Sequence, residues 1–159
     1  MTSARLTQLG AWLAGVWAGV LVCIAVIAAP AGFAVAARDV AGRVAARIFA
    51  QEAYLSLGLA VALFLIVRSI GRSRAVGGAG SVLGADVFLV LGTLVCTVAG
   101  YFALQPMMEA ARAGQGALSF GALHGLSAGF FALKGLLVLS LAWRLAGAVP
   151  VTKPPSRIA

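Results

Sequence analysis

Apolar positions along this chain form four long runs, separated by short stretches that carry most of the charge. No charged residue falls between Arg5 and Arg38, a stretch longer than the roughly 20 residues that cross a hydrocarbon core. It predicts a first membrane helix over 8–33. Pro30, near the far end, lacks an amide N–H and its ring crowds the carbonyl four residues earlier, so the backbone is expected to bend or stop there. In Asp39 to Phe49, Val40, Val44 and Ile48 share one helical face while Arg43 and Arg47 share another, the pattern of an amphipathic helix lying in the membrane interface. Only 15 uncharged residues then run from Ala53 to Val67, short for a span. The second helix is therefore expected over 50–70, with Glu52 in the headgroup layer, Arg68 snorkelling outward, and the interfacial helix able to run into it without a break.

The segment Gly71 to Gly84, with Arg72, Arg74 and the run Gly77-Gly78-Ala79-Gly80-Ser81, reads as a flexible loop between two helical hairpins. Val87 to Met108 gives 22 uncharged residues, enough for a third span with modest tilt. After a break at Ala113-Gly114-Gln115-Gly116, a fourth apolar stretch runs over 120–143, interrupted once by Lys134. The expected fold is all-α: an integral membrane four-helix bundle with an interfacial amphipathic helix between the first and second spans. It forms one domain over 1–147, followed at 148–159 by a proline-rich tail expected to be disordered. A secretory signal is the rival reading of the N-terminus, since Ala34-Val35-Ala36 resembles a cleavage site. The single Arg5 is a thin positive region, however, and the apolar run is about twice the usual length of a signal's core.

Composition strengthens the membrane reading: 62% of residues are hydrophobic and 10% charged, too apolar to cover a water-facing surface. The net charge of +8 comes from basic residues flanking the apolar runs, which makes anionic membrane lipid the expected partner and argues against nucleic acid. Arg5, Arg68, Arg72, Arg74, Arg144, Lys153 and Arg157 would share one side of the membrane, against Arg38, Arg43, Arg47 and Arg112 on the other. The positive-inside rule then puts both termini and the middle loop in the cytoplasm. Cys23 and Cys96 lie within apolar runs without the spacing of a metal or redox pair, and read as packing residues.

Gly121, Gly125 and Gly129 recur every fourth residue on the fourth helix, as do Gly15 and Gly19 on the first. Small-residue stripes let membrane helices approach closely, either within the bundle or between copies. Lys134 is the most unusual residue, because a cation near the bilayer centre costs at least roughly 2.5 kcal/mol to insert. With Glu52 and Asp86 at span boundaries, each carboxylate would lie about 15 Å away in depth, so the expected neighbours are Thr97, Cys96, the Gly19 to Cys23 turn and Gly58. Ser127 and His124 fall near Lys134 on the same arc of the helix. These residues make a candidate polar stripe that either lines a hydrated cavity for a polar or anionic solute, or leaves Lys134 snorkelling or neutral with no ligand.

His124 is the only histidine, too few for bis-histidine haem or a typical catalytic zinc site; Met107 and Met108 leave only a formal Met/His alternative. No G-x-S-x-G, H-E-x-x-H or phosphate-binding loop occurs. The four carboxylates offer little for acid–base chemistry or proton-coupled transport. The expectation is a non-enzymatic protein without catalytic residues, metal or cofactor, acting through assembly with itself or a membrane protein partner. A small-solute or ion transporter is the alternative.

Trp17-Ala18-Gly19 with Ala29-Pro30, the segment Ala41-Gly42-Arg43-Val44-Ala45-Ala46-Arg47-Ile48-Phe49, and Leu123-His124-Gly125-Leu126-Ser127 together resemble the bacterial membrane proteins related to eukaryotic transmembrane protein 205. The likeness spans nearly the whole chain and implies a four-helix membrane fold with no settled activity, placed in the inner membrane of a bacterial cell. Ala50-Gln51 departs from the pattern, where those proteins often carry proline and then an aromatic residue. The resemblance points to His124 and to Arg43 through Phe49 for any shared function.

Overall fold

The computed structural model describes residues 2–78 and 81–149. Among the described residues four helices make up the fold, each long and apolar enough to cross a membrane: α1 (Ser3–Val35), α2 (Arg38–Val76), α3 (Ala85–Arg112) and α4 (Phe120–Gly147). The expected tail falls mostly outside the described residues.

Local chemistry explains where these helices start and stop. Asp39 and Asp86 lie in the first turns of α2 and α3, while Arg74, Arg112 and Arg144 lie in the last turns of α2, α3 and α4. Each sign complements the helix dipole at its own end. Ser119 caps α4 by accepting the Ala122 N–H at 3.3 Å, relieving one of the unpaired amides of the first turn. At the end of α3, Gly114 adopts φ 74°. The Gln115 and Gly114 amides then donate back to Ala110 and Ala111, a closure that requires a left-handed residue.

The structure decides three boundaries that the sequence left open or placed differently. The backbone of α1 does not stop at Pro30 but continues to Val35, through a π-helical stretch at Ile24–Ala28. The same device recurs in α3, where Val98–Ala103 is π-helical just ahead of Pro106. In each case the carbonyl four residues before the proline, on Val26 or Phe102, lies within the widened turn. There the ring clash and the missing N–H are absorbed without breaking the helix. Second, the amphipathic segment from Asp39 to Phe49 runs straight into the second span within one helix of 39 residues. Arg43 and Arg47 are exposed on it, as are Val40 and Val44, and Arg43 pairs with Asp39 one turn back at 3.0 Å. Third, the middle loop is shorter than expected, because α2 persists to Val76. Gly71 is needed inside the helix, since a Cβ there would meet the Val82 and Ser81 carbonyl oxygens at 3.1 and 3.3 Å.

The helices pack as a ring in chain order, with α1 on α2, α2 on α3, α3 on α4 and α4 back on α1. This makes α2 and α4 a diagonal pair that run in the same direction. One core, built from Trp17, Leu21, Leu63, Val67, Val90, Val138, Leu141 and their neighbours, fills the half of the bundle nearest the α2–α3 loop. A smaller cluster of Leu104, Met108 and Leu123 fills the other half, between α3 and α4.

Candidate functional site: a buried ion pair across the bundle

Between these two clusters the bundle holds charge. Lys134 on α4 donates to both carboxylate oxygens of Glu52 on α2, at 2.7 and 2.8 Å. The two side chains are 4% and 3% exposed, so the pair is shielded from lipid and water alike. Ser56, one turn beyond Glu52, donates its hydroxyl to that carboxylate. It accepts from the Trp17 indole N–H of α1 at 3.1 Å and from Lys134 at 3.4 Å. All three ammonium protons therefore have an acceptor, and no buried side-chain nitrogen or oxygen among the described residues lacks a partner. A satisfied network is the condition under which buried charge is tolerated. The Phe131 ring adds a face 5.0 Å from the ammonium, and Phe131 in turn meets Phe49 edge-on at 5.3 Å.

This arrangement corrects the expectation that no carboxylate is level with Lys134. The charge at Glu52 does not mark a membrane boundary, because no helix begins near residue 50. Within the continuous α2 helix it stands fourteen residues past Arg38, as Lys134 stands fourteen past Phe120. Both are about 21 Å along helices that start at the same end of the bundle. Because α2 and α4 are diagonal, their axes lie beyond ordinary neighbour distance, about 13 Å for helices packed at 8–10 Å around a square. Only long side chains can close that gap, and lysine with glutamate does so.

The remaining stripe residues do not join this pair. Ser127 instead donates to the Gly100 carbonyl at 2.7 Å, within the π-helical stretch of α3 where the regular bonding ladder is disturbed. Thr97 is buried but bonds its own helix, donating to Thr93 O at 2.8 Å. His124 is exposed and stacks on Phe120, with ring centroids 5.8 Å apart; Arg112 covers the Phe120 ring at 4.5 Å. Glu52, Ser56 and Trp17 were absent from the sequence-derived site. The signal was present in part: Glu52 and Ser56 are four apart and so share a helix face, with apolar residues on both sides.

Helix packing within the bundle by Gly15, Gly19, Gly121, Gly125 and Gly129 is likewise corrected. All five are exposed, and a Cβ added at any of them meets nothing within 4 Å. The buried face of α4, defined by Leu123, Lys134, Val138, Leu141 and Leu145, lies on the side opposite its glycines at 100° per residue. Close packing falls to other glycines. A Cβ on Gly100 would meet Phe130 Cβ at 2.6 Å, one on Gly92 would meet Leu137 at 3.0 Å, and one on Gly10 would meet Ile66 and Leu145 at 3.2 Å.

Residues 12–117 match the family described as a domain of unknown function, DUF4149. No curated protein and no solved structure matches the chain. The matched region contains Trp17, Glu52 and Ser56 but stops short of Lys134.

Proposed function

We propose that this chain, which belongs to the DUF4149 family of unknown function, is a non-enzymatic membrane protein that acts through helix-mediated assembly, first with a second copy of itself. The observation that carries this reading is the outward-facing glycine stripe of α4: Gly121, Gly125 and Gly129 are exposed with open space around each. In a bilayer, two such stripes bring backbones into van der Waals contact, the interaction that drives helices together where burial alone offers little. The engaged state of Ser127 and Lys134 supports the same reading over a transporter, because both are bonded within the bundle. Kinship with the bacterial relatives of eukaryotic transmembrane protein 205 is part of the proposal and rests on the Trp17, Arg43-to-Phe49 and His124 segments.

Differently tagged copies, co-expressed and recovered in mild detergent, test assembly. Gly125→Leu with Gly129→Leu is expected to reduce recovery of the second copy about tenfold, corresponding to roughly 1.4 kcal/mol of lost association. Full recovery with the leucines in place would sink the proposal.

Orientation in a bacterial inner membrane with both termini cytoplasmic is the companion proposal, supported by the seven-to-four distribution of basic residues. Alkaline phosphatase fused after Gln115 is expected to be active, and the same reporter fused after Ser81 inactive. The reverse pattern would invert the topology.

A further inference from the structure

At the end of the bundle where α2 and α4 finish and α3 begins, Arg74, Asp86, Arg144, Gly147 and Ala148 line a groove of about 280 Å³. Arg144 is fixed there by donating Nε to Asp86 at 2.6 Å, with the carboxylate mostly covered and the guanidinium half exposed. That contact uses one of the five N–H donors of the guanidinium, so its terminal amino groups remain beside the groove. Arg74 supplies a second guanidinium. Asp86 neutralises one of the two positive charges, and the exposed Arg68 and Arg72 on the same end of α2 add to the field.

We propose that this groove holds the phosphate of an anionic phospholipid headgroup. Two arginines lining one groove, one of them held in orientation by a carboxylate, suit a phosphate, whose oxygens accept paired N–H donors. Trp143, adjacent to Arg144, is 83% exposed, as befits the aromatic belt where headgroups lie. A lipid rather than free phosphate follows from the surface running into the membrane from the groove. Phe88, two residues past Asp86 on α3, is an exposed apolar side chain like Trp143, so apolar surface adjoins the groove's own residues where acyl chains can follow and a soluble anion would not use it. The site does not depend on assembly between copies.

The test uses the full-length protein in mild detergent, titrated with phosphatidylglycerol, phosphatidylcholine or inorganic phosphate and read by native mass spectrometry. Phosphatidylglycerol is expected to bind in preference to phosphatidylcholine. Arg74→Gln should weaken that binding about tenfold, the loss of one charge-assisted contact, while Arg112→Gln at the opposite end should leave it unchanged. A thermal melt without lipid checks that Arg74→Gln remains folded, as expected for an exposed side chain. Equal binding of the two lipids, or equal effects of the two substitutions, would overturn the proposal. Displacement of phosphatidylglycerol by millimolar inorganic phosphate would reassign the groove to a soluble anion.

Discussion

Lys134→Leu alone is expected to destabilise the bundle by about 3–5 kcal/mol, because it leaves the Glu52 carboxylate buried without a counter-charge. Glu52→Gln should cost less than Lys134→Leu, since the amide oxygen can still accept from lysine, but it still strands a cation. The informative comparison is the double variant Glu52→Gln, Lys134→Leu, which removes both charges and keeps much of the volume. It is expected to recover most of the loss, as buried ion pairs replaced by fitting uncharged groups often are close to neutral. The measurement is denaturant or thermal unfolding in a fixed detergent, with the four proteins forming a double-mutant cycle. Additive losses, with no recovery in the double variant, would mean that the 2.7 Å contact does not exist in the folded protein.

Trp17→Ala should produce a loss of similar size by a different route. The indole is fully buried in the main core, and truncating a buried tryptophan leaves a cavity worth about 3–5 kcal/mol. Its N–H also bonds Ser56, so Trp17→Phe separates the two contributions: most of the volume stays and one donor goes. That variant is expected to lose about 0.5–1.5 kcal/mol. It should also couple to Lys134→Leu in a double-mutant cycle, because both residues bond Ser56. A Trp17→Phe variant as unstable as Trp17→Ala would place the importance of this residue in the hydrogen bond rather than in packing.

Such coupling bears on how α1 is held. The ion pair joins α2 to α4 across the diagonal, and Trp17 reaches the same point from α1, so three helices are set in depth by one polar network. Apolar packing between membrane helices specifies register weakly, since sliding one leucine-rich face along another changes little. A hydrogen-bonded charge pair has one position at which every donor and acceptor is met.

What the sequence determined by itself is the number of spans and the all-helical class, because apolar runs exceeding the bilayer's thickness leave the backbone no other way to satisfy its hydrogen bonds. It also identified Lys134 as the residue in need of a partner. Charge does not mark a span boundary at Glu52, which lies deep in α2 because a carboxylate can enter the bundle once a counter-charge meets it there. The glycine stripes showed helical period but not direction, since a period of four says only that residues share a face and is silent on whether that face meets a neighbour. The tertiary structure alone decided these matters. Packing in a ring put α2 and α4 on a diagonal, brought Glu52 and Lys134 to one depth with Ser56 and Trp17 beside them, and turned the glycines outward. Each outcome depends on how helices rotate against one another, and rotation is fixed by contacts between residues as far apart in the chain as 52 and 134.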